Sequence, residues 1–204
     1  MIFDNLRSTR PFKATPRMIV LHWTAGVASD PMRVVNAMRA RKGALTPDGL
    51  SVHYVIGKTG QVLQTASLDR RCLHAGGVND SSIGIEVSCP GFSFGPYDRE
   101  PDDWTVYRDI VKGRCISMVD YRPEQYAALR DVLLHISAET GIPLVVPTES
   151  IRAMGAKDHA DFLLMRQMTK TELGSFRGVI GHYHCSKTKV DCGTRPLLWV
   201  QGGM

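Results

Sequence analysis

Met18-Ile19-Val20-Leu21-His22 is a short apolar run that ends in a histidine, and Gly178-Val179-Ile180-Gly181-His182 repeats the pattern near the far end of the chain. An unbroken apolar run of this length reads as a strand covered on both faces. Pro16 stands before the first run and Thr24-Ala25-Gly26 closes it. Between the two runs the sequence switches repeatedly between strand and helix signals. Asp30 and Pro31 suit the start of a helix whose apolar positions are Val34, Val35 and Met38. Val52 to Ile56 and Val62 to Gln64, separated by Lys58-Thr59-Gly60, read as a hairpin, and Ile83 to Val87 reads as a further strand. A longer helix starts near Pro123, carries Leu129, Val132, Leu133 and Ile136 on one stripe, and stops at Gly141-Ile142-Pro143. Residues 144–146 read as a short strand, 148–176 as a polar stretch with one helix, and 43–49 and 90–103 as loops. Strands alternating with helices predict an α/β fold, a sheet with helices packed on it.

A length of 204 residues, 43% of them apolar and 22% charged, suits one domain around one substantial core. No run approaches the ~18 apolar residues of a membrane span, so no integral membrane association is expected. Met1 to Arg7 lacks a basic head followed by an apolar stretch, which predicts synthesis in the cytoplasm without a secretory signal. Cys72, Cys89, Cys115, Cys185 and Cys192 are odd in number and widely spaced, and they include no CxxC pair. That pattern argues against a disulfide framework. The net charge of +5 suits an acidic polymer partner. The basic residues form neither a block nor an aromatic-interleaved motif, so nucleic acid is not the expected partner.

Sites in open α/β sheets gather at the carboxyl ends of strands, where side chains converge on a crevice. His22 and His182 both occupy such ends, placed for metal binding or proton transfer, with a hydrogen-bonded structural role as the bland alternative for each. The second histidine opens the stretch His182-Tyr183-His184-Cys185-Ser186-Lys187-Thr188-Lys189-Val190-Asp191-Cys192-Gly193. A catalytic zinc takes three protein ligands and leaves one position open. His22, His182 and Asp191 supply two neutral imidazoles and one carboxylate, giving a site charge of about +1 that draws the pKa of bound water towards ~7. Lys189 precedes Asp191 by two residues, so in an extended segment both side chains share a face and the lysine can stabilise an oxyanion. A competing set, His182, His184, Cys185 and Cys192, would instead make a structural zinc site. His53 either lines a pocket or packs in the sheet. Trp23, Trp104 and Trp199 read as packing, with Trp23 adjoining a ligand. His135 falls off the apolar stripe of its helix and reads as solvated, and His159 carries no signal of its own.

Four segments in register then resemble a known family. They are His22-Trp23-Thr24-Ala25-Gly26, Ser51-Val52-His53-Tyr54, Asn79-Asp80-Ser81-Ser82-Ile83-Gly84-Ile85-Glu86, and Gly181-His182 with Lys189-Val190-Asp191-Cys192-Gly193. Together they resemble the type 2 N-acetylmuramoyl-L-alanine amidases, a group that includes phage endolysins, muropeptide-recycling amidases and peptidoglycan-recognition proteins. The resemblance implies one Zn2+ ion held by His22, His182 and Asp191, with Glu86 as general base and Lys189 stabilising the transition state. His74, in Cys72-Leu73-His74-Ala75-Gly76, resembles the Trp-His-Ala-Gly segment along the family's substrate groove. Trp23, Asn79 and His53 are expected to contact substrate there as well. The implied fold is a central mixed sheet flanked by helices, with the zinc site in a surface groove. One domain would span residues 1–204, its motif-bearing core 18–200.

The sequence departs from the family in places. Cys192 stands where proline usually follows the third ligand, and some members use cysteine as that ligand, so Asp191 and Cys192 compete; the register after Lys189 favours Asp191. Leu73 replaces a tryptophan, and residues 92–122 and 148–176 read as insertions. The expected activity is hydrolysis of the amide bond between N-acetylmuramic acid and L-alanine of peptidoglycan, by a monomer. A phage or prophage endolysin, an antibacterial enzyme reaching the periplasmic wall from the host cytoplasm, is the setting that the positive charge favours. A cytoplasmic amidase recycling anhydro-muropeptides fits as well. A non-catalytic peptidoglycan-binding module is the third reading, but such members lose a ligand, and this sequence keeps all three together with Glu86 and Lys189.

Overall fold

The two apolar runs are neighbours in space. The computed structural model describes residues 10–26, 30–40, 49–92, 104–152 and 159–204. The first run is β1 (Met18–Trp23), followed by α1 (Pro31–Ala40), β2 (Tyr54–Ile56), β3 (Val62–Gln64) and β4 (Ser82–Val87). Next come β5 (Val106–Val111), β6 (Arg114–Val119), α2 (Pro123–Thr140), β7 (Thr148–Arg152), β8 (His159–Leu163) and α3 (Lys170–Ser175). The second run is β9 (Gly178–Gly181), with α4 (His182–Cys185) and α5 (Arg195–Gln201) after it. The loops expected over 43–49 and 90–103 lie mostly outside the described residues, as does the His159 side chain.

Five strands form one sheet in the order β3-β2-β4-β1-β9. β1 runs parallel to β4 and to β9, and β2 runs parallel to β4, while β3 pairs with β2 in the antiparallel sense. The sheet is therefore mixed, in a single-domain α/β fold. Every residue of β1 is buried, as a strand covered on both faces requires.

Successive side chains of a strand point to opposite faces. Ile19, Leu21 and Trp23 of β1 join Ile83, Ile85 and Val87 of β4 in the main core, against Leu129, Leu133 and Ile136 of α2. Met18 and Val20 face the other way, into a smaller cluster with Ala75, Val78, Leu164 and Ile180. On this second face Val55 of β2 meets Val34, Val35 and Met38 of α1. The same alternation assigns His22 and Glu86 to the second face. α2 thus covers one side of the sheet, and the other side, packed by α1 and the smaller cluster, carries His22 and Glu86 at its carboxyl end. Pro123 pre-sets the first turn of α2, and Gly141, at φ 69°, closes it with an N–H donated to Ser137 O at 2.8 Å.

Two further antiparallel hairpins, β5–β6 and β7–β8, depart from the sequence expectation. In β5, Tyr107, Asp109 and Val111 point inward, and a buried aspartate breaks the apolar period that marks a strand. Its turn, Lys112-Gly113, has φ of 53° and 72°, the left-handed pair whose twist suits a two-residue hairpin, though Lys-Gly is not one of the usual signals. Residues 148–176 hold the β7–β8 hairpin and the six-residue α3. Residues 144–146 form no strand: Val145 O accepts from Val179 N at 2.8 Å, but Pro143 and Pro147 lack the N–H groups a ladder needs. No helix among the described residues is long and apolar enough to cross a membrane.

Leu133 is fully buried, and its neighbour Leu134 is 46% exposed. Leu133→Ala is expected to lower the unfolding free energy by about 2–5 kcal/mol, and Leu134→Ala to stay within about 0.5 kcal/mol, as read by urea denaturation.

Candidate metal centre

Parallel strands end on the same side of a sheet, so register decides which side chains meet there. The β1–β4 ladder pairs His22 with Glu86, and the β1–β9 ladder pairs Leu21 with Gly181, which leaves His182 next in line beside His22. Glu86, His22 and His182 therefore stand in one row at the carboxyl ends of three adjacent strands. Asp191 reaches the row from the loop after α4, where Tyr183 N–H donates to Asp191 O at 2.9 Å. The Asp191–Cys192 peptide bond is cis.

His22 Nδ1, His182 Nδ1 and Asp191 Oδ2 form a triangle with sides of 3.1, 2.9 and 3.2 Å. A tetrahedral ion with bonds of ~2.0–2.1 Å spaces its ligand atoms about 3.3 Å apart, so the triangle closes around such an ion with little adjustment. All three residues are buried. Burial opposes the charge on Asp191, but the close contacts with the His182 and His22 imidazoles outweigh it and hold the carboxyl below its usual range. Burial also pushes His22 down, against the pull of Asp191. A neutral imidazole beside an ionised carboxylate is the protonation state that a divalent cation needs.

A second histidine sets which nitrogen of His22 faces the triangle. His22 Nε2 lies 3.0 Å from His74 Nδ1, and His74 Nε2 lies 3.3 Å from both the carbonyl and the hydroxyl oxygen of Ser82. The Ser82 hydroxyl donates to Val78 O at 2.7 Å, so towards His74 it accepts. Assigned from this network, His74 carries its proton on Nε2 and accepts at Nδ1, and His22 carries its proton on Nε2. The lone pair of His22 Nδ1 is left aimed at the triangle. His74 is kept neutral, its pKa pushed well down by burial and then by His22 and His53.

The surroundings of His74 are equally constrained. A Cβ on Gly84 would come within 2.6 Å of the His74 ring. Asn79 Oδ1 accepts the N–H groups of His74 and Ala75 at 2.9 and 2.8 Å. His53 is fully buried; its Nδ1 accepts from Gly84 N at 3.0 Å and its Nε2 donates to Arg70 O at 2.8 Å. Burial pushes His53 down to about 4.

A groove of about 570 Å³ opens on the row, and Trp23, His74, Glu86 and Lys189 line it together with the triangle. Asn79 and His53 stand behind the wall, one fastening the His74 loop and the other bracing β4. The segment before Asp191 is not a strand, yet it delivers both Lys189 and Asp191 to the groove. The competing cysteine–histidine set does not assemble. His184 Nδ1 accepts from Gly181 N at 3.0 Å and Nε2 donates to Leu164 O at 2.7 Å, while Cys185 Sγ donates to His182 O at 3.3 Å. Cys192 Sγ lies against Gly193 O at 3.5 Å, and burial raises its thiol pKa. Among the described residues the group able to hold a metal is His22, His182 and Asp191. Tyr121, whose hydroxyl donates to His22 O at 3.1 Å, escaped the sequence reading because no spacing ties it to the motifs.

Over residues 12–194 the sequence matches the model of the N-acetylmuramoyl-L-alanine amidase family. The chain belongs to that family. No curated protein matches it at a significant level. Among solved structures, the endolysin N-acetylmuramoyl-L-alanine amidase LysCS of Clostridium intestinale is similar over 97% of this chain and 89% of its own, with a TM-score of 0.56 and 14% identity. Drosophila PGRP-LB is similar over 96% and 85%, with a TM-score of 0.55 and 12% identity. Likeness at such identities is a likeness of fold. The amidase AmiD of Escherichia coli aligns over 64% of this chain and 46% of its own, with a TM-score of 0.45 and 19% identity, so the chain spans less than half of AmiD.

For this member of the amidase family, titration of zinc against a chromophoric chelator tests the site. Asp191→Ala is expected to abolish tight binding and Cys192→Ala to leave it unchanged. His74→Ala and Gly84→Ala should each weaken binding roughly 10–100-fold, since both remove or displace the partner that orients His22. Wild-type affinity in both would show that the His22–His74 contact is dispensable.

Proposed function

We propose that the chain is a zinc-dependent amidase hydrolysing the amide bond between N-acetylmuramic acid and L-alanine of peptidoglycan. The observation that carries this reading is the row Glu86–His22–His182 completed by Asp191. It sets a carboxylate able to move protons beside a three-ligand triangle that opens on a groove. Zinc held by the triangle would supply Lewis acidity and lower the pKa of a water in the open position towards ~7. Glu86 takes a proton from the attacking water as its oxygen adds to the amide carbonyl carbon. It passes that proton to the departing nitrogen as the C–N bond breaks, so one group serves as base and then as acid. The Lys189 ammonium, on the groove wall, stabilises the charge that develops on the carbonyl oxygen.

For the setting we favour a phage or prophage endolysin. The fold is shared with LysCS, itself an endolysin, and a net charge of +5 suits an anionic wall. Relative rates on intact sacculi and on small anhydro-muropeptides decide between this setting and a recycling enzyme, which would prefer the soluble substrate.

Chelation should abolish hydrolysis and added zinc restore it, and mass spectrometry of digested sacculi should find peptides with a free amino-terminal L-alanine and intact glycan strands. Full activity in a verified metal-free sample, or new reducing ends on the glycan, would overturn the proposal. Glu86→Gln and Lys189→Met should each lose roughly 10²-fold or more in kcat while keeping their zinc. Binding of sacculi without turnover by the wild type would identify a recognition module instead.

A further inference from the structure

The loop that carries Lys189 and Asp191 is gripped from outside by the β5–β6 hairpin, within a stretch that reads from sequence as an insertion. Two side chains of the hairpin are hydrogen-bonded to it. Lys112, in the turn, donates from Nζ to the carbonyl oxygens of Ser186 and Lys189, the latter at 2.8 Å. Asp109, 4% exposed, accepts from Thr194 N at 2.7 Å and from Thr194 Oγ1 at 2.6 Å. One side chain holds the entry of the loop and the other its exit, with Asp191 between them. The fit against the hairpin is close: a Cβ on Gly193, at φ 77°, would meet Tyr107 Oη at 2.7 Å and Asp109 Oδ2 at 3.1 Å.

The loop has no ladder of its own; the Tyr183 N–H bond to Asp191 O and the Gly193 N–H bond to Val190 O hold its middle, and the hairpin attachments hold its two ends. An ammonium has three donors and no acceptor, and two backbone carbonyls of one loop engage two of them. The Asp109 carboxylate is satisfied by N–H and O–H donors rather than by a cation. Its two shortest bonds come from the loop, and its other short bond is the Ile110 N–H at 2.8 Å. If the loop moved away, a buried charge would be stripped of the donors that make burial tolerable.

We propose that Asp109 and Lys112 are positioning residues: Asp109 sets Asp191 at the metal triangle, and Lys112 sets Lys189 at the groove. The part of Lys112 rests on the amidase reading, whereas the part of Asp109 concerns the metal alone. Zinc and cobalt affinities, the visible d–d spectrum of the Co2+ form, and kcat and KM on whichever substrate the wild type cleaves, solubilised sacculi or a muropeptide, are compared for wild type, Asp109→Asn, Lys112→Met and Lys112→Arg. The comparison is made where circular dichroism shows every protein folded. Asp109→Asn should bind either metal at least about tenfold more weakly and change the intensity of the cobalt bands, the size of effect usual for residues that orient a ligand. Lys112→Met should bind metal within about twofold of wild type yet lose about tenfold or more in kcat at little-changed KM, the signature of a misplaced catalytic group. Lys112→Arg, which can still donate to two carbonyls, should recover most of that loss. If Asp109→Asn does not fold, Thr194→Val, which deletes one of the two bonds, takes its place.

Wild-type metal affinity with an unchanged cobalt spectrum in that variant would overturn the role of Asp109. Unchanged kcat in Lys112→Met, or equal loss in the methionine and arginine variants, would overturn that of Lys112. A wild type inactive on both intact sacculi and muropeptides defeats the amidase reading and the Lys112 role with it, and the metal measurements still decide on Asp109.

Discussion

β1 is hydrogen-bonded on both edges to strands that run in its own direction, and its register cannot slip without cost. A shift by one residue would turn Ile19, Leu21 and Trp23 out of the main core and drive His22 into it. The alternation that buries three large side chains against the α2 face therefore also fixes the direction of His22. β4 obeys the same rule, with Ile83, Ile85 and Val87 inward and Glu86 opposite. The face opposite the main core carries both smaller apolar clusters and, at the strand ends, His22 and Glu86, so the forces that fold the sheet aim the site.

Behind the functional face lies a chain of polar groups in which each donor has its acceptor. Arg70 O and Gly84 N hold His53, Ser82 holds His74, and His74 holds Nε2 of His22. The chain ends at the triangle. One proton can bridge two of its corners, but three electron-pair donors within about 3 Å of each other cannot all be served by hydrogen bonds. A cation is the partner that satisfies all three together.

What the sequence made legible and what it concealed divide along physical lines. The apolar runs 18–21 and 178–181, the stripe of α2 and its Gly141 stop are local patterns, and local patterns survive in a bare sequence. His22, His182, Lys189 and Asp191 stood out because their types and spacing fit one chemistry, reinforced by a family resemblance; Glu86 stood out through that resemblance alone. Asn79 and His53 were legible as motif members but not as supports, because their partners are backbone groups at other places in the chain. The β5–β6 hairpin was concealed because it buries an aspartate where a strand usually buries a hydrophobe. Adjacent Asp191 and Cys192 compete as ligands on paper, with only the register after Lys189 favouring Asp191; in space Cys192 Sγ lies against Gly193 O.

The three corners of the triangle are not held with equal rigidity by the sheet. His22 and His182 sit at the ends of β1 and β9, where ladders on both sides of β1 fix the backbone, while Asp191 comes from a loop. Sites on strands are held more accurately than sites on loops, and a catalytic constellation tolerates errors of only about 0.5 Å. A loop-borne ligand leaves the carboxyl end of the sheet open as a groove, because no further strand has to cross it, but it shifts the demand for rigidity elsewhere. In this chain the demand falls on a hairpin outside the sheet. That explains why Asp109 and Lys112, far from the motifs in sequence and beyond the groove in space, bond to the segment between Ser186 and Thr194. A stretch that reads as an addition to the fold thus supplies the support that the open end of the sheet leaves out.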